Sequence, residues 1–310
     1  MSSETAIPAL ATRIADLVRS MILEVRPRLV NAALTGERKE HENLRHGDNF
    51  LSDFDLWMHE RYKEALVQLI PSFVYASEEA DPEVIGPDAD PDLCILVDPL
   101  DTSELAVRGL YGYTHIMVYS RALARPIISV IGDIFHHIQL YIGARDESGD
   151  DRAYMITADS VEYVLCRPSQ RPLTQALVTN YLMRPSERFM PLARQEKFLG
   201  ALGASEGGSK KKDGRIGVDF GSVSLCHVAA GLTDATVEFA KGFAIWDLSP
   251  GHYILHAAGG TVIDLQGKPI PLDYRLDSLA DIAAAMNPRQ KFIAAGNPSL
   301  ADEILKTLST

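Results

Sequence analysis

The chain has 310 residues, of which 46% are hydrophobic and 23% charged, and its 42 acidic and 30 basic residues give a net charge of −12. This composition suits one large α/β domain or two coupled domains. The acidic balance argues against nonspecific binding to nucleic acid or anionic lipid, for which a basic face is expected. A phosphorylated substrate is still compatible, because a metal site can supply positive charge locally.

The cysteines and the first 20 residues indicate a cellular location. The three cysteines are widely spaced and form no CxxC pair, so neither a disulfide framework nor a zinc site is predicted. Residues 1–20 contain four charged side chains and no continuous apolar run. We therefore expect no signal peptide, no membrane span and a cytoplasmic location.

The first half of the chain mixes helices and strands. Helical spacing predicts a long helix over 5–34 and a second helix over 53–70, which stops at Pro71. A loop rich in proline and aspartate is expected at 81–92. Short apolar runs predict strands at 73–76, 94–97, 114–120 and 126–131, with further β-like segments to about residue 165.

The second half alternates strands with helices. The predicted elements are a strand at 176–180, a helix at 186–202, a strand at 215–219, a helix at 222–231, a strand at 234–239, a helix at 247–258, a strand at 261–264, and a short strand and final helix within 292–308. This order predicts an α+β domain over 1–168 and an α/β domain over 169–310. The lysine-rich segment 205–215 is typical of a solvated loop, and a phosphate-binding patch is the alternative.

Acidic residues stand where the probable elements end. Glu78 and Glu79 follow one strand, Asp98 and Asp101 follow the next, and Asp247 opens a helix. Ligand sites of α/β sheets lie beyond the carboxyl ends of strands, so these acids can converge. Hard divalent cations such as Mg²⁺ need oxygen ligands, and two metals can clamp an in-line phosphoryl transfer. Each acid alone is explained equally well as a turn residue or a helix cap.

The backbone of the stretch "LVDPLD" (96–101) also suits a metal site. Pro99 fixes its own φ and disfavours a helix before it. The two aspartates can then turn to one side of the chain. The carbonyl of Leu100, between them, is free to act as a further ligand.

Several segments carry a resemblance to a known family. "SEEA" (77–80), "CILVDPLDTSE" (94–104) and "AIWDLSPGHYILHAAGGTVIDLQGKPI" (244–270) resemble the main blocks of the inositol monophosphatase family, and "DNFLSDFD" (48–55) resembles the segment before its second helix. That family shares a superfamily with fructose-1,6-bisphosphatase and the 3'-phosphoadenosine 5'-phosphate phosphatases. The resemblance implies a layered αβαβα sandwich with α+β and α/β parts, metal-dependent hydrolysis of a phosphomonoester, and a homodimer.

The resemblance also implies a metal centre for two or three Mg²⁺ ions, with Mn²⁺ as a substitute. The implied ligands are the side chains of Glu78, Asp98, Asp101 and Asp247 and the backbone carbonyl of Leu100. Glu79 would lie close behind and orient these ligands. Asp55 would act behind the ligands or at a third metal.

The same resemblance implies which residues take part in catalysis and in substrate binding. Glu78, Asp101 and Ser103 would be catalytic, with the attacking water between Glu78 and a hydroxyl such as that of Ser103. The metals would polarise the phosphoryl oxygens and lower the pKa of that water. The expected contacts to phosphate or substrate are Thr102, Ser103, Glu104, Ser224 and Glu238.

The loop after Asp101 departs from the family pattern. The family continues D-G-T, whereas this chain has Asp101-Thr102-Ser103. The glycine normally lets backbone N–H groups approach the phosphate, and Thr102 places a Cβ there. Ser103 keeps the hydroxyl, since Ser and Thr share the same donor and acceptor set. Glu104 puts an acid beside the phosphate, which is costly unless it faces away or meets an amine.

The residues expected near the substrate also depart from the family pattern. Ser224 replaces an acidic position common in the family, and the position of the polyol-contacting glutamate is Ala240, two residues from Glu238. We therefore expect a small phosphorylated cyclitol, sugar or nucleotide, with 3'-phosphoadenosine 5'-phosphate and fructose 1,6-bisphosphate as runners-up. The alternative is a degenerate relative that binds metal and a phosphorylated ligand without turnover. His115 and His227 lie in apolar runs, which is typical of hydrogen-bonded core histidines.

Overall fold

The computed structural model describes residues 6–37, 40–43, 50–166, 169–204 and 214–309. The segment 205–213 of the lysine-rich loop and residues 48–49 of the fourth resembling segment lie outside the described residues.

The chain divides into two compact units. The first comprises Met1–Val164 with Leu272–Asn287, and the second comprises Leu165–Pro271 with Pro288–Thr310. The sequence predicts two continuous domains, whereas the first unit also includes a segment from the C-terminal part of the chain. Tyr119 donates a hydrogen bond to Asp273 (3.0 Å), and Nε of Arg121 donates to the carbonyl of Asp277 (3.0 Å), which attaches that segment to the first unit.

The helices of the described residues are α1 (Ala9–Thr35), α2 (Asp53–Val67), α3 (Ser103–Ala106), α4 (Met190–Ala193), α5 (Glu196–Leu202), α6 (Val223–Ala229), α7 (Ile245–Ala257), α8 (Leu279–Ala285) and α9 (Pro298–Thr307). A 3₁₀ turn covers Leu173–Gln175 and a π-helical turn covers Pro185–Phe189. None of the helices in the described part of the chain combines the length and apolar character needed to cross a membrane.

The strands of the described residues are β1 (Glu40–His41), β2 (Leu51–Ser52), β3 (Phe73–Ser77), β4 (Ala80–Ile85), β5 (Leu93–Asp101), β6 (Tyr113–Ser120), β7 (Arg125–Asp133), β8 (Ile138–Arg145), β9 (Asp151–Thr157), β10 (Glu162–Leu165), β11 (Leu177–Asn180), β12 (Arg215–Val218), β13 (Ala235–Phe243), β14 (Thr261–Ile263) and β15 (Gln290–Ala295). The expected loop at 81–92 therefore contains most of β4, which pairs antiparallel with β3.

The first unit is built on an eight-stranded sheet in the order β10-β9-β8-β7-β6-β5-β3-β4. β3 and β5 run parallel, while β5, β6, β7, β8 and β9 pair antiparallel in succession. Helices α1 and α2 pack on this sheet, α1 on β7 and β8 and α2 on β5. The carboxyl ends of the parallel strands β3 and β5 meet at one edge of the sheet.

Helix α1 lies tightly against β7. Its apolar residues at helical spacing, including Ile14, Val18 and Ile22, are fully buried, as amphipathic patterning predicts. A Cβ added to Gly132 of β7 would lie 2.7 Å from side-chain atoms of both Val18 and Ile22. Glycine at this position therefore permits the close approach of helix and sheet.

The second unit is built on a five-stranded sheet in the order β12-β11-β13-β15-β14. β11 is parallel to β12 and β13, and β15 is antiparallel to β13 and β14. Helices α6 and α7 pack closely, since a Cβ on Gly251 would lie 2.4 Å from the carbonyl oxygen of Ser222. Trp246, near the start of α7, is buried, and Gly259 at φ +90° turns the chain toward β14.

The helix predicted over 186–202 is broken into three short pieces. The break falls at Gln195, whose backbone leaves the helical region at ψ 59°. Its side-chain amide bonds the backbone of Ser309, donating to the carbonyl (3.1 Å) and accepting from the N–H (2.7 Å). A contact 114 residues away thus overrides the local helical pattern.

His252, inside α7, makes the second unit sensitive to acid. Burial lowers its pKa to about 3, with a smaller contribution from His256, so the folded protein keeps the ring neutral. The unfolded ring titrates near the ordinary value of about 6.5, so the unfolded state gains protons first as pH falls. The free energy of unfolding is expected to drop by about 2 kcal/mol between pH 7 and pH 5.

Urea unfolding at both pH values tests this expectation. His252→Gln, which does not titrate, should lose that part of the pH dependence. His137→Gln removes an exposed histidine and should leave it in place. The same pH dependence in His252→Gln as in the wild type would contradict the assignment.

Candidate metal centre and the loop after Asp101

The parallel pair β3–β5 places Glu78 beside Asp98. Ser77 is paired with Val97, so the residues that follow each stand next to one another at the same edge. The N–H of Glu78 donates to the carbonyl of Val97 (3.2 Å), and the N–H of Glu79 donates to Oγ of Ser77 (3.2 Å). The convergence expected from the sequence is therefore found for these two strand ends.

Strand β5 continues through both aspartates, beyond the strand predicted at 94–97. Its pairing with β6 shifts register between Asp98, opposite His115, and Asp101, opposite Tyr113. The irregularity coincides with Pro99, which has no N–H to give to the ladder. Asp98 is 1% exposed and accepts the N–H of Leu100 (3.1 Å), while Asp101 is 8% exposed.

His115 completes a cluster with the two aspartates. Its Nε2 lies 3.1 Å from Oδ2 of Asp101, and its Nδ1 lies 3.8 Å from Oδ2 of Asp98. The 3.1 Å approach lacks hydrogen-bond geometry, and within the described residues neither ring nitrogen nor Oδ2 of Asp101 has a hydrogen-bond partner. His115 is buried, as the apolar run predicts, but it is not the hydrogen-bonded core histidine that the run suggested.

These unpartnered atoms fit a divalent cation. A buried polar atom without a partner costs about 1–3 kcal/mol, so native proteins rarely leave several together. Ligand atoms of Asp98, Asp101 and His115 lie within 4.8 Å of one another. Two carboxylates and an imidazole are a donor set that binds divalent metals. The residues present therefore fit a divalent cation, which the family resemblance implies.

Asp55 and Ser103 form a hydrogen-bonded pair beside this cluster. Asp55 is the third residue of α2, where it shares a capping box with Ser52, whose N–H (2.7 Å) and Oγ (2.6 Å) both donate to it. Oγ of Ser103 lies 2.6 Å from Oδ1 of Asp55 and 2.7 Å from the carbonyl of Leu100, so it donates to one or the other. Burial raises the pKa of Asp55 to about 6, against the opposing effect of these hydrogen bonds.

Thr102 occupies the family's glycine position in a left-handed conformation, at φ 60° and ψ 39°. A β-branched residue is strained there, because its Cβ crowds the following carbonyl. Its hydroxyl donates to the carbonyl of Asp101 (2.6 Å). The loop thus keeps the backbone turn expected of glycine while carrying a side chain that resists it.

This strain has a measurable consequence. We expect Thr102→Gly to unfold with a free energy about 1 kcal/mol higher than that of Thr102→Ala, because both lose the hydroxyl and only glycine relieves the Cβ clash. Chemical unfolding of the two variants measures the difference. A Thr102→Ala variant that is equally stable would show that the left-handed turn carries no strain.

Glu104 has a partner within the chain. Its carboxylate lies 3.2 Å from the guanidinium of Arg108, one turn away, and both side chains are about two-fifths exposed. An exposed pair of this kind contributes little to stability. The acid therefore turns to Arg108 at the surface, which removes the need for a substrate amine.

The remaining predicted residues lie in the second unit. Asp247 is half-buried in the first turn of α7. The buried Ser224 donates to the carbonyl of Gly221 (2.8 Å). Glu238 is 2% exposed, ion-paired with Arg188, and accepts the N–H groups of residues 240–242. Both of its oxygens are engaged, which argues against the expected substrate contact and favours a role in holding the loop.

The chain is similar to known proteins both in sequence and in fold. A protein named Nus factor SuhB from Pasteurella multocida is 24% identical over 263 residues, covering 85% of this chain and 88% of that protein. The solved structure of the extragenic suppressor protein suhB from Bartonella henselae aligns with a TM-score of 0.64 at 19% identity, covering 96% of this chain and 98% of that one. Leishmania major fructose-1,6-bisphosphatase aligns with a TM-score of 0.68 at 11% identity, covering 98% and 96%.

The fold is therefore the layered α/β fold shared by inositol monophosphatases and fructose-1,6-bisphosphatases, as predicted. The profile of the inositol monophosphatase family matches residues 9–309. The chain belongs to the inositol monophosphatase family.

The sequence did not predict the contact of His115 with the two aspartates. The residue stands in an apolar run, and no spacing rule links it to Asp98 or Asp101. Only the β5–β6 register, which the sequence does not state, reveals the contact.

Proposed function

We propose that this protein is a divalent-metal-dependent phosphatase that hydrolyses a small phosphomonoester, such as a phosphorylated cyclitol, sugar or nucleotide. The observation that carries the proposal is the buried cluster of Asp98, Asp101 and His115 next to the Ser103–Asp55 hydrogen bond. Among the described residues, Oδ2 of Asp101 and the ring nitrogens of His115 have no hydrogen-bond partner. Family membership supports it, since metal-dependent phosphate ester hydrolysis is what the family resemblance implies.

The residues of the first unit have distinct roles in this proposal. A bound divalent cation would supply charge for the phosphoryl oxygens and lower the pKa of a water. Glu78, Asp98, Asp101 and the Leu100 carbonyl would hold it, and Glu79 would orient them. Ser103 would orient the attacking water and pass a proton to Asp55. A carboxyl with a pKa of about 6 suits a proton acceptor near neutral pH.

Some parts of the proposal rest on the resemblance alone. They are Asp247 as a further ligand, a phosphate contact from Thr102, a site for two or three Mg²⁺ ions and a homodimer. Ser224 near the substrate and a cytoplasmic location are proposed from the sequence itself. The name Nus factor belongs to the Pasteurella multocida protein. The net charge of −12 here favours a small phosphate ester over nucleic acid as the ligand.

The test is phosphate release from a panel of phosphomonoesters by the full chain. The panel includes inositol 1-phosphate, fructose 1,6-bisphosphate, 3'-phosphoadenosine 5'-phosphate and several sugar phosphates, each with EDTA, Mg²⁺ or Mn²⁺. Release from at least one compound with metal, abolished by EDTA, is the expected result. Metal-dependent binding of a phosphorylated compound without release from any of them would instead establish the degenerate binding protein.

A further inference from the structure

His115 brings a nitrogen donor to a site whose expected ligands are all oxygens. It stands on β6 directly opposite Asp98 in the antiparallel pairing with β5, and its side chain is fully buried. Its ring reaches toward both carboxylates of the cluster, with Nε2 on the side of Asp101 and Nδ1 on the side of Asp98.

The spacing of these atoms matches a shared ion. Across the described parts of the chain, Asp98, Asp101 and His115 are the one group of three acidic, histidine or cysteine side chains whose ligand atoms come this close. Adjacent ligands of an octahedral ion with bonds of about 2.1 Å are roughly 3.0 Å apart. Nε2 of His115 and Oδ2 of Asp101 are 3.1 Å apart. Neither atom has a hydrogen-bond partner among the described residues, so both are available to the ion.

We propose that Nε2 of His115 is a ligand of the divalent cation held by Asp98 and Asp101, and that it shifts the preference of the site from Mg²⁺ toward Mn²⁺. The inference deepens the proposed function, because it concerns the same metal centre. Mg²⁺ is bound almost wholly through oxygen, whereas imidazole suits transition metals. An imidazole ligand therefore favours Mn²⁺ over Mg²⁺. In the competing arrangement His115 only pairs with Asp101 and takes no part in metal binding.

Electron spin echo spectroscopy on Mn²⁺ distinguishes these arrangements without any substrate. The full chain is freed of metal with EDTA and loaded with one equivalent of Mn²⁺. We expect ¹⁴N modulation typical of a coordinated imidazole, replaced by ¹⁵N coupling when the protein is made with ¹⁵N-histidine. Bound Mn²⁺ with no nitrogen coupling would overturn the proposal.

Two variants assign the nitrogen to His115. His115→Gln should remove the coupling and weaken Mn²⁺ binding by at least about 10-fold, with little change in Mg²⁺ binding. His137→Gln removes an exposed histidine and should change neither property. Coupling that persists in His115→Gln would overturn the proposal. If that variant does not fold, the labelled wild-type protein still decides whether histidine binds the ion.

These results separate the inference from the proposed function. Nitrogen coupling in a protein that releases phosphate from no compound would refute the phosphatase and leave His115 as a ligand. Phosphate release by a protein whose Mn²⁺ shows no nitrogen coupling would support the phosphatase and refute His115 as a ligand.

Discussion

Asp98→Asn is expected to reduce metal-dependent phosphate release by about 1,000-fold. Asparagine keeps the shape of the side chain and an oxygen that can accept the N–H of Leu100. In the proposed mechanism, it removes a negative charge that would hold the cation, and with it the charge stabilisation of the transferring phosphoryl group. A 1,000-fold loss corresponds to about 4 kcal/mol of transition-state stabilisation.

The free energy of unfolding shows whether Asp98→Asn loses phosphate release because of its chemistry or because the protein is less stable. Asp98 is buried in the same cluster as Asp101, so the metal-free wild type bears the repulsion of like charges in a poorly solvated place. We expect metal-free Asp98→Asn to be at least as stable as the wild type in chemical unfolding. Glu162→Gln, which removes one exposed acid on β10, should retain full activity. Equal activity of Asp98→Asn and the wild type would refute a role for Asp98 in catalysis.

Ser103→Ala is expected to lower kcat by about 100-fold while leaving the affinity for metal nearly unchanged. The hydroxyl is the group that links Asp55 to the loop, at 2.6 Å from the carboxylate. In the proposed mechanism its loss would leave the attacking water without an oriented acceptor, and general-base catalysis typically contributes on the order of 10²–10⁴-fold. Steady-state kinetics with Mn²⁺, together with a metal titration, measures both quantities.

Matched variants test whether Ser103 and Asp55 act as one unit. Ser103→Thr keeps the hydroxyl and should retain most activity. Asp55→Asn should resemble Ser103→Ala, and the double variant should be little worse than either single one, because residues that act together are not additive. Multiplied effects in the double variant would show that the two side chains act independently.

Much of the fold was open to prediction from local patterns. The spacing of apolar residues in α1 reflects its one-sided burial, and the short apolar runs of β3 and β5 reflect strands that are buried on both faces. The convergence of Glu78 and Asp98 followed from their positions at the ends of neighbouring strands. Family membership was recognisable from blocks that combine such acids with glycine and tryptophan at fixed spacing.

The unpredicted parts depend on contacts distant in sequence or on backbone strain. Gln195 breaks a helical pattern by binding Ser309. Glu238 and Arg188 neutralise each other although 50 residues separate them. The left-handed turn at Thr102 contradicts the preference of threonine, and the contact of His115 with the two aspartates depends on strand register. Of these features, only Thr102 leaves a local signal in the sequence, since it stands where the family has glycine.

The return of residues 272–287 to the first unit has a consequence for synthesis on the ribosome. Helix α8 contacts β4, the strand at the edge of the large sheet, and Asp273 is the partner of the Tyr119 hydroxyl. A nascent chain that ends before residue 272 lacks these contacts, and its edge strand is more open to pairing with another chain. The ribosome synthesises most of the first unit early, but the unit is complete only after residue 287 has emerged. Chaperones therefore have a long interval in which to bind the incomplete unit.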